Sequence, residues 1–130
     1  MRKQINSPFF TKKITILSLK DYLSRLVKYA ELEIGSLIFA LILMDKLNTN
    51  QRVLFTPHNI HRILLTCCVI SMKINHDKYF SNQFYAIIGG VTLEELNELE
   101  LAFIDKVNYD LSVNFKEIAR YISQVRKFQG

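Results

Sequence analysis

The sequence has few of the residues that build metal sites and disulfide-bonded folds. Its two cysteines, Cys67 and Cys68, are adjacent, which leaves no room for an ordinary loop-closing disulfide and no Cys-X-X-Cys spacing. We expect both to be buried, because free cysteine packs as a small hydrophobic residue. His58 and His61 are close in sequence, but no nearby Cys, Asp or Glu completes a metal site. We therefore expect these histidines to make hydrogen bonds at a helix end, and we expect no metal and no cofactor.

Glycine-rich loops and long apolar runs are also missing. The only paired glycines, Gly89 and Gly90, stand at the end of a predicted helix and form no phosphate-binding loop. Apolar runs such as 37–44 are less than half of the roughly 20 residues that span a bilayer. Residues 1–17 contain no continuous apolar stretch of the kind found in a signal peptide. Serines are plentiful, but nothing singles out a Ser/His/Asp set. We expect a non-enzymatic protein without a membrane span, located in the nucleus, the cytoplasm or both.

The residues that are present predict an all-α domain. Apolar positions recur at helical spacing, and no stretch shows sustained alternation of period two. We predict an irregular segment over 1–17 and one helical domain over 18–127. The helix starts are marked by the capping pairs Ser18 with Asp21, Thr92 with Glu95 and Asn114 with Glu117. The expected helices cover about 18–31, 34–48, 57–75, 81–88, 92–110 and 115–128.

The third of these helices is the expected centre of the fold. From Ile63 to Met72 it carries no charge, so that almost no fully polar side is left. Thr56 as N-cap and Pro57 in the first helical position mark its start. We predict a five-helix bundle with this third helix at its centre, and a sixth helix at the C-terminal end. The least apolar side of the central helix is formed by Arg62, Thr66, Val69 and Lys73.

Two acidic residues fall on helix faces that are otherwise apolar. Asp45 continues the row made by Ile34, Ile38 and Leu41. A buried carboxylate needs a cation and hydrogen bonds. Arg25 flanks the apolar stripe of the preceding helix and can hold a carboxylate with two bonds. We therefore predict an ion pair between Arg25 and Asp45.

Glu100 is the second acidic residue in an apolar ring, and Lys73 is its natural partner. Two interpretations remain open from the pattern. In the first, the two charges satisfy one another inside the bundle, or Glu100 lies at the rim in water. In the second, the apolar ring is a binding surface and the two charges hold main-chain groups of another protein.

Basic residues are concentrated at both ends of the chain, which has a net charge of +5. Such a distribution can direct a protein towards nucleic acid or another acidic partner. No aromatic residues interleave with the basic ones as a base-stacking surface requires. We favour solvated tails and regard a nucleic-acid partner as the weaker hypothesis.

Together, the helices and the misplaced charges resemble the cyclin box, in particular that of the P-type and U-type cyclins. The similarity covers about residues 16–125 and consists of the segments DYLSRLVKYA, ALILMDKL, NIHRILLTCCVISMKI, KYFSNQFYAIIGGVTLEELNELE and VNYDL, in the family's order and spacing. It implies a single cyclin box that, without catalysis of its own, activates a cyclin-dependent protein kinase by holding the kinase αC helix in the active position. No obligate homo-oligomer is expected.

The resemblance also implies roles for individual residues. Arg25 and Asp45 match the internal ion pair of the family. The positions expected to contact the kinase are Lys73, Glu100, Ile104, Tyr109 and Leu111. Two alternatives stay open: a cyclin-like helical adaptor of transcription or nucleic-acid complexes without kinase activation, and a cyclin-like scaffold that has lost its kinase.

Overall fold

The protein folds into helices, as its sequence predicts. The structure is a computed structural model that describes residues 7–12, 15–49, 53–108 and 110–129, without the side chains at 115 and 125–129. Within these ranges lie α1 (Leu19–Tyr29), α2 (Ile34–Thr49), α3 (Ile60–Asn75), α4 (Asn82–Gly89), α5 (Leu93–Lys106) and α6 (Phe115–Gln129). No strand occurs in the same ranges, so the all-α prediction is confirmed.

Side-chain caps start four of the six helices. Ser18, Ser81 and Thr92 each accept a hydrogen bond from the backbone N–H three residues later. The Asn114 amide oxygen does the same at the start of α6. Glu95 in turn accepts the Thr92 N–H at 2.9 Å, which completes a capping box at α5. These contacts satisfy N–H groups that have no partner within the helix.

Helix α3 lies at the centre of the bundle. Every residue from Ile63 to Met72 is buried, and α3 packs against α1, α2, α4 and α5. Helix α6 packs on the outside of α2. The predicted five-helix bundle around the third helix, with a sixth helix added at its C-terminal end, is therefore confirmed.

The start of α3 differs from the prediction. Thr56 and Pro57 open a hydrogen-bonded turn, and the regular helix begins at Ile60. The Thr56 carbonyl accepts the N–H groups of Asn59 and Ile60 at 3.1 and 2.9 Å. The Asn59 side chain ties the turn to the preceding segment, since it accepts from the Thr56 N–H and donates to the Leu54 carbonyl, both at 2.8 Å. The capping residues thus shape this turn before the helix starts.

The predicted polar side of α3 is also mostly buried. Thr66 is 0% exposed and Val69 is 2% exposed, because α5 lies along this side. Thr66 tolerates burial because its hydroxyl donates to the Arg62 carbonyl, one turn earlier, at 2.7 Å. Only the two end positions, Arg62 and Lys73, reach the surface.

Residues 7–12 and 15–17 form an irregular segment over the start of α3, which we call the N-terminal strap. Phe9 is its buried anchor, 4% exposed within the core. The Thr11 N–H donates to the His58 carbonyl at 2.9 Å, and His58 Nδ1 bonds the Thr11 carbonyl at 3.0 Å. His61 Nε2 bonds the Leu17 carbonyl at 2.8 Å. Both histidines therefore bind backbone oxygens of the strap, in line with the hydrogen-bonding role expected of them.

Candidate functional site

Helices α3 and α5 are joined by two ion pairs, one near each end of their contact. Lys73 Nζ lies 2.8 and 3.0 Å from the two carboxylate oxygens of Glu100. Arg62 Nη2 lies 2.5 Å from Glu95 Oε2. Arg62 and Lys73 are about 16 Å apart along the axis of α3, from the rise of 1.5 Å per residue. We call the surface defined by these four residues the α3–α5 seam.

The Lys73–Glu100 pair is only partly withdrawn from water. The side chain of Lys73 is 28% exposed and that of Glu100 is 15% exposed. Lys73 donates two of its three ammonium N–H groups to Glu100, so one N–H remains. Each carboxylate oxygen likewise keeps a lone pair. The sequence left two interpretations open, an internal ion pair and a pair of charges that bind another protein. The geometry is compatible with both, because the two residues bind one another and still present a donor and acceptors at the surface.

Partly or largely exposed apolar residues lie on α5 close to Glu100 in sequence and in the segment that follows the helix. Ile104 and Leu111 are half-buried and pack against the core, so each shows one side to the surface. Leu101, next to Glu100, is 69% exposed, and the sequence reasoning did not single it out. Tyr109, predicted to belong to the same surface, lies outside the described residues.

The Arg62–Glu95 pair was not predicted. The sequence identified Glu95 as half of a capping box and Arg62 as a member of a polar side, without connecting them. The capping N–H of Thr92 and the Arg62 guanidinium both lower the pKa of Glu95, with the Thr92 hydrogen bond the larger cause and burial opposing it. The spacing held a signal, since Arg62 lies three helical turns before Lys73 and so on the same side of α3.

The ion pair predicted between Arg25 and Asp45 is not formed. Arg25 Nε donates to the Ile88 carbonyl, at the end of α4, at 2.8 Å, and the guanidinium lies over the Tyr29 ring, 5.7 Å from its centroid. Both Arg25 and Asp45 are exposed. Among the described residues, the only salt bridges are the two on the α3–α5 seam.

The surroundings of Asp45 explain this correction. Ile34 belongs to the same helical row and is 70% exposed, so the row runs from the core to the surface. Asp45 accepts a long hydrogen bond from Thr49 at 3.4 Å. Burial, followed by the Asp45 carboxylate, raises the pKa of Tyr121 on α6. Asp45 thus lies at the solvated edge between α2 and α6, where a carboxylate needs no buried cation.

The cysteines are where the sequence placed them. Cys67 and Cys68 are free thiols buried in α3, and burial raises the pKa of Cys68 to about 12.

None of the helices in the described ranges is both long and apolar enough to cross a membrane.

The comparison with protein families identifies the chain. The cyclin family model matches residues 1–111, and the chain therefore belongs to the cyclin family. Cyclin-P3-1 of Oryza sativa subsp. japonica is 32% identical over 125 residues, which is 96% of this chain and 53% of that protein. Cyclin-U4-2 of Arabidopsis thaliana is 33% identical over 112 residues, 85% of this chain and 52% of that protein.

A yeast relative is similar to the same extent. PHO85 cyclin-7 of Saccharomyces cerevisiae is 30% identical over 132 aligned positions, which cover 92% of this chain and 46% of that protein. The resemblance to the P-type and U-type cyclins is thus confirmed. The chain spans about half the length of the curated relatives it matches.

Proposed function

We propose that this chain is a regulatory cyclin subunit that binds and activates a cyclin-dependent protein kinase and has no catalytic activity of its own. The observation that carries the proposal is the Lys73–Glu100 pair, two opposite charges that stay partly exposed on an apolar surface of a chain that belongs to the cyclin family. One relative is named as a cyclin of PHO85. The protein acts wherever its kinase is present, in the nucleus, the cytoplasm or both.

The seam provides the contacts that such a partner needs. Lys73 offers its remaining ammonium N–H to a backbone carbonyl, and Glu100 offers its remaining lone pairs to backbone N–H groups. Both charges are already paired, so neither is left alone in a partly dehydrated interface. This lowers the desolvation penalty that a single buried charge imposes on binding. Ile104 and Leu111 supply apolar area around this polar centre, and Tyr109 is the further position that the resemblance to the cyclins assigns to the contact.

Binding leads to activation through a conformational equilibrium of the kinase. The kinase αC helix must lie inward for its Glu to pair with the ATP-binding Lys. A partner that binds only the inward state shifts the kinase towards that state by the difference in its affinity for the two states. In this proposal the α3–α5 seam holds the inward αC helix, and the cyclin contributes binding free energy and no chemistry.

Co-purification tests the proposal. The wild-type chain is expressed with an affinity tag in its source cell, and the recovered kinase and its activity are measured. Lys73→Glu and Glu100→Lys should each reduce both, because each puts two like charges side by side on the seam. Lys20→Glu makes the same charge change as Lys73→Glu, but at an exposed site on α1, and serves as the matched control for that variant. Circular dichroism of each purified variant separates lost binding from lost folding.

Two outcomes contradict the proposal. One is recovery of the kinase with both seam variants at the level of the wild type, which would place the binding surface elsewhere. The other is recovery of no kinase with the folded wild type. If the chain then bound duplex DNA with an affinity that fell steeply with salt, the adaptor alternative would be favoured.

A further inference from the structure

A pocket of about 370 Å³ lies between the N-terminal strap, the start of α3 and the Gly89–Gly90 turn that ends α4. Its size falls within the roughly 300 to 1,000 Å³ usual for ligand sites. Neither Lys73 nor Glu100 lines it. The pocket therefore lies at the Arg62 end of the seam, away from the Lys73–Glu100 pair on which the proposed kinase binding rests.

Arg25 is the first cation in this pocket. Its Nε is fixed by the bond to the Ile88 carbonyl, and its planar group lies over the Tyr29 ring, so the side chain is held in one orientation. Within the described part of the chain, its two terminal nitrogens make no hydrogen bond and no salt bridge. Because the pair with Asp45 is not formed, the outer edge of the guanidinium is available to a ligand.

Arg62 is the second cation. It donates to the Pro8 carbonyl at 3.2 Å and pairs with Glu95, so its position is also fixed. Both guanidiniums act on Tyr22, which lines the pocket: burial raises the pKa of Tyr22, and the charges of Arg62 and Arg25 oppose that rise. The two guanidiniums, one from α1 and one from α3, thus line the same pocket. No described Asp or Glu is among the lining residues.

Three further polar side chains line the pocket. Thr11 and Thr15 lie on the strap side, and each carries a hydroxyl that can donate a hydrogen bond. His61 is 8% exposed, and its Nδ1 is a buried atom without a partner among the described residues. Because Nε2 donates to the Leu17 carbonyl, Nδ1 is an acceptor in the neutral ring. A buried acceptor without a partner requires an explanation, and an O–H group of a molecule bound in the pocket, such as a singly protonated phosphoryl group, provides one.

The arrangement of donors selects the chemistry of the ligand. A carboxylate is planar and is satisfied by the fork of a single arginine. A phosphoryl group is more highly charged and presents three acceptor oxygens in different directions. Donors that come from α1, α3 and the strap match the second geometry. We propose that this pocket binds a phosphoryl group, either as free phosphate or as the phosphorylated side chain of a peptide.

Calorimetric titration of the full chain tests this proposal and separates the two sources. The ligands are sodium phosphate, a five-residue Gly/Ser peptide with a central phosphoserine, and the same peptide without the phosphate, all at constant ionic strength. We expect binding of at least one phosphorylated ligand and none of the plain peptide. Tighter binding of phosphoserine peptide than of phosphate identifies a peptide ligand, and the reverse order identifies the free ion. Absence of binding by both phosphorylated ligands overturns the proposal.

Variants assign the binding to the pocket. Arg25→Gln should weaken it at least about tenfold, the loss expected for a charge-assisted contact. Lys28→Gln removes the same charge from the next turn of α1, outside the pocket, and should change the affinity less than about twofold. Equal weakening by both variants overturns the proposal, since it indicates general charge attraction. If Arg25→Gln does not fold, Thr11→Val with Thr15→Val replaces it, with the same expected loss and the same control.

Co-purification of the kinase with Arg25→Gln is measured as well, so that failure of the pocket proposal can be told apart from failure of the proposed function. A variant that retains the kinase and loses the phosphorylated ligand supports the pocket as a separate site. A folded variant that binds the phosphorylated ligand as tightly as the wild type overturns the pocket, whatever happens to its kinase.

Discussion

Gly89 lies where α4 packs closely against Leu65 of α3, and a single added methyl group tests how tightly the two helices pack. A Cβ atom at position 89 would lie 2.3 and 2.7 Å from the two methyl carbons of Leu65. Leu65 is 0% exposed, so its side chain has little free space into which to move. The Gly89 carbonyl also accepts the Tyr22 hydroxyl at 2.7 Å. The Gly89→Ala substitution therefore disturbs packing and a buried hydrogen bond together.

The expected loss follows from two opposing effects. Overpacking of a filled core typically costs about 1 to 3 kcal/mol. Alanine in place of glycine within a helix gives back up to about 1 kcal/mol. With about 2 kcal/mol for overpacking and about 0.5 to 1 kcal/mol for the helical gain, the net result for Gly89→Ala is a destabilisation of about 1 to 1.5 kcal/mol. Gly35→Ala on α2 is the matched control, because its added Cβ meets nothing within 4 Å and only the helical gain of up to about 1 kcal/mol remains.

Urea denaturation followed by circular dichroism measures both variants. The midpoint should fall for Gly89→Ala and rise or stay unchanged for Gly35→Ala, with the same slope as the wild type. Equal stability of Gly89→Ala and wild type would show that Leu65 can move aside and that α3 and α4 are not closely packed here. A loss of stability in Gly35→Ala would contradict the open environment at the start of α2.

Three other predictions concern the exposed Asp45, the capping Glu95 and the buried thiols. Asp45→Ala should change the free energy of unfolding by less than about 0.5 kcal/mol, as is usual at an exposed position, whereas a loss of about 3 to 5 kcal/mol would indicate a buried pair with Arg25. The folded pKa of Glu95 lies below the ordinary 4.5, so its ionised form stabilises the fold above that value and this contribution is lost as the pH falls through the folded pKa. The melting temperature of the wild type should therefore fall more between about pH 5 and pH 3 than that of Glu95→Gln, and parallel curves would contradict this. Cys67 and Cys68 should resist a thiol reagent in the folded chain and react after denaturation, and rapid labelling of the native protein would contradict their burial.

The features predicted correctly from the sequence depend on local chemistry or on a strong pattern. A capping side chain such as Thr92 acts within one turn of the chain, so its partner is known from the spacing alone. The uncharged stretch from Ile63 to Met72 has few ways to avoid burial, and it lies at the centre as predicted. Lys73 and Glu100 form a pair because the residues around each of them are mostly apolar and offer few other polar partners.

The features that could not be predicted depend on which helix covers which face. Helix α2 is apolar on nearly every side, so a helical wheel cannot tell that the row containing Ile34 and Asp45 reaches the surface. The same limit applies to Thr66 and Val69, whose burial is set by α5. Arg25 binds a backbone carbonyl 63 residues away, and any carbonyl at a helix end can provide such an acceptor. Long-range contacts of this kind leave no trace in the spacing of charges.

Exchange of the two charges tests most directly whether the Lys73–Glu100 pair binds a kinase or only joins two helices. The double variant Lys73→Glu with Glu100→Lys can re-form the intramolecular ion pair, whereas either single substitution cannot. Kinase binding is measured by co-purification alongside urea denaturation of the same preparation. We expect stability close to that of the wild type with kinase binding reduced at least about tenfold, because the donor and acceptors offered to the kinase are reversed. Wild-type kinase binding by the stable double variant would contradict the proposed binding surface.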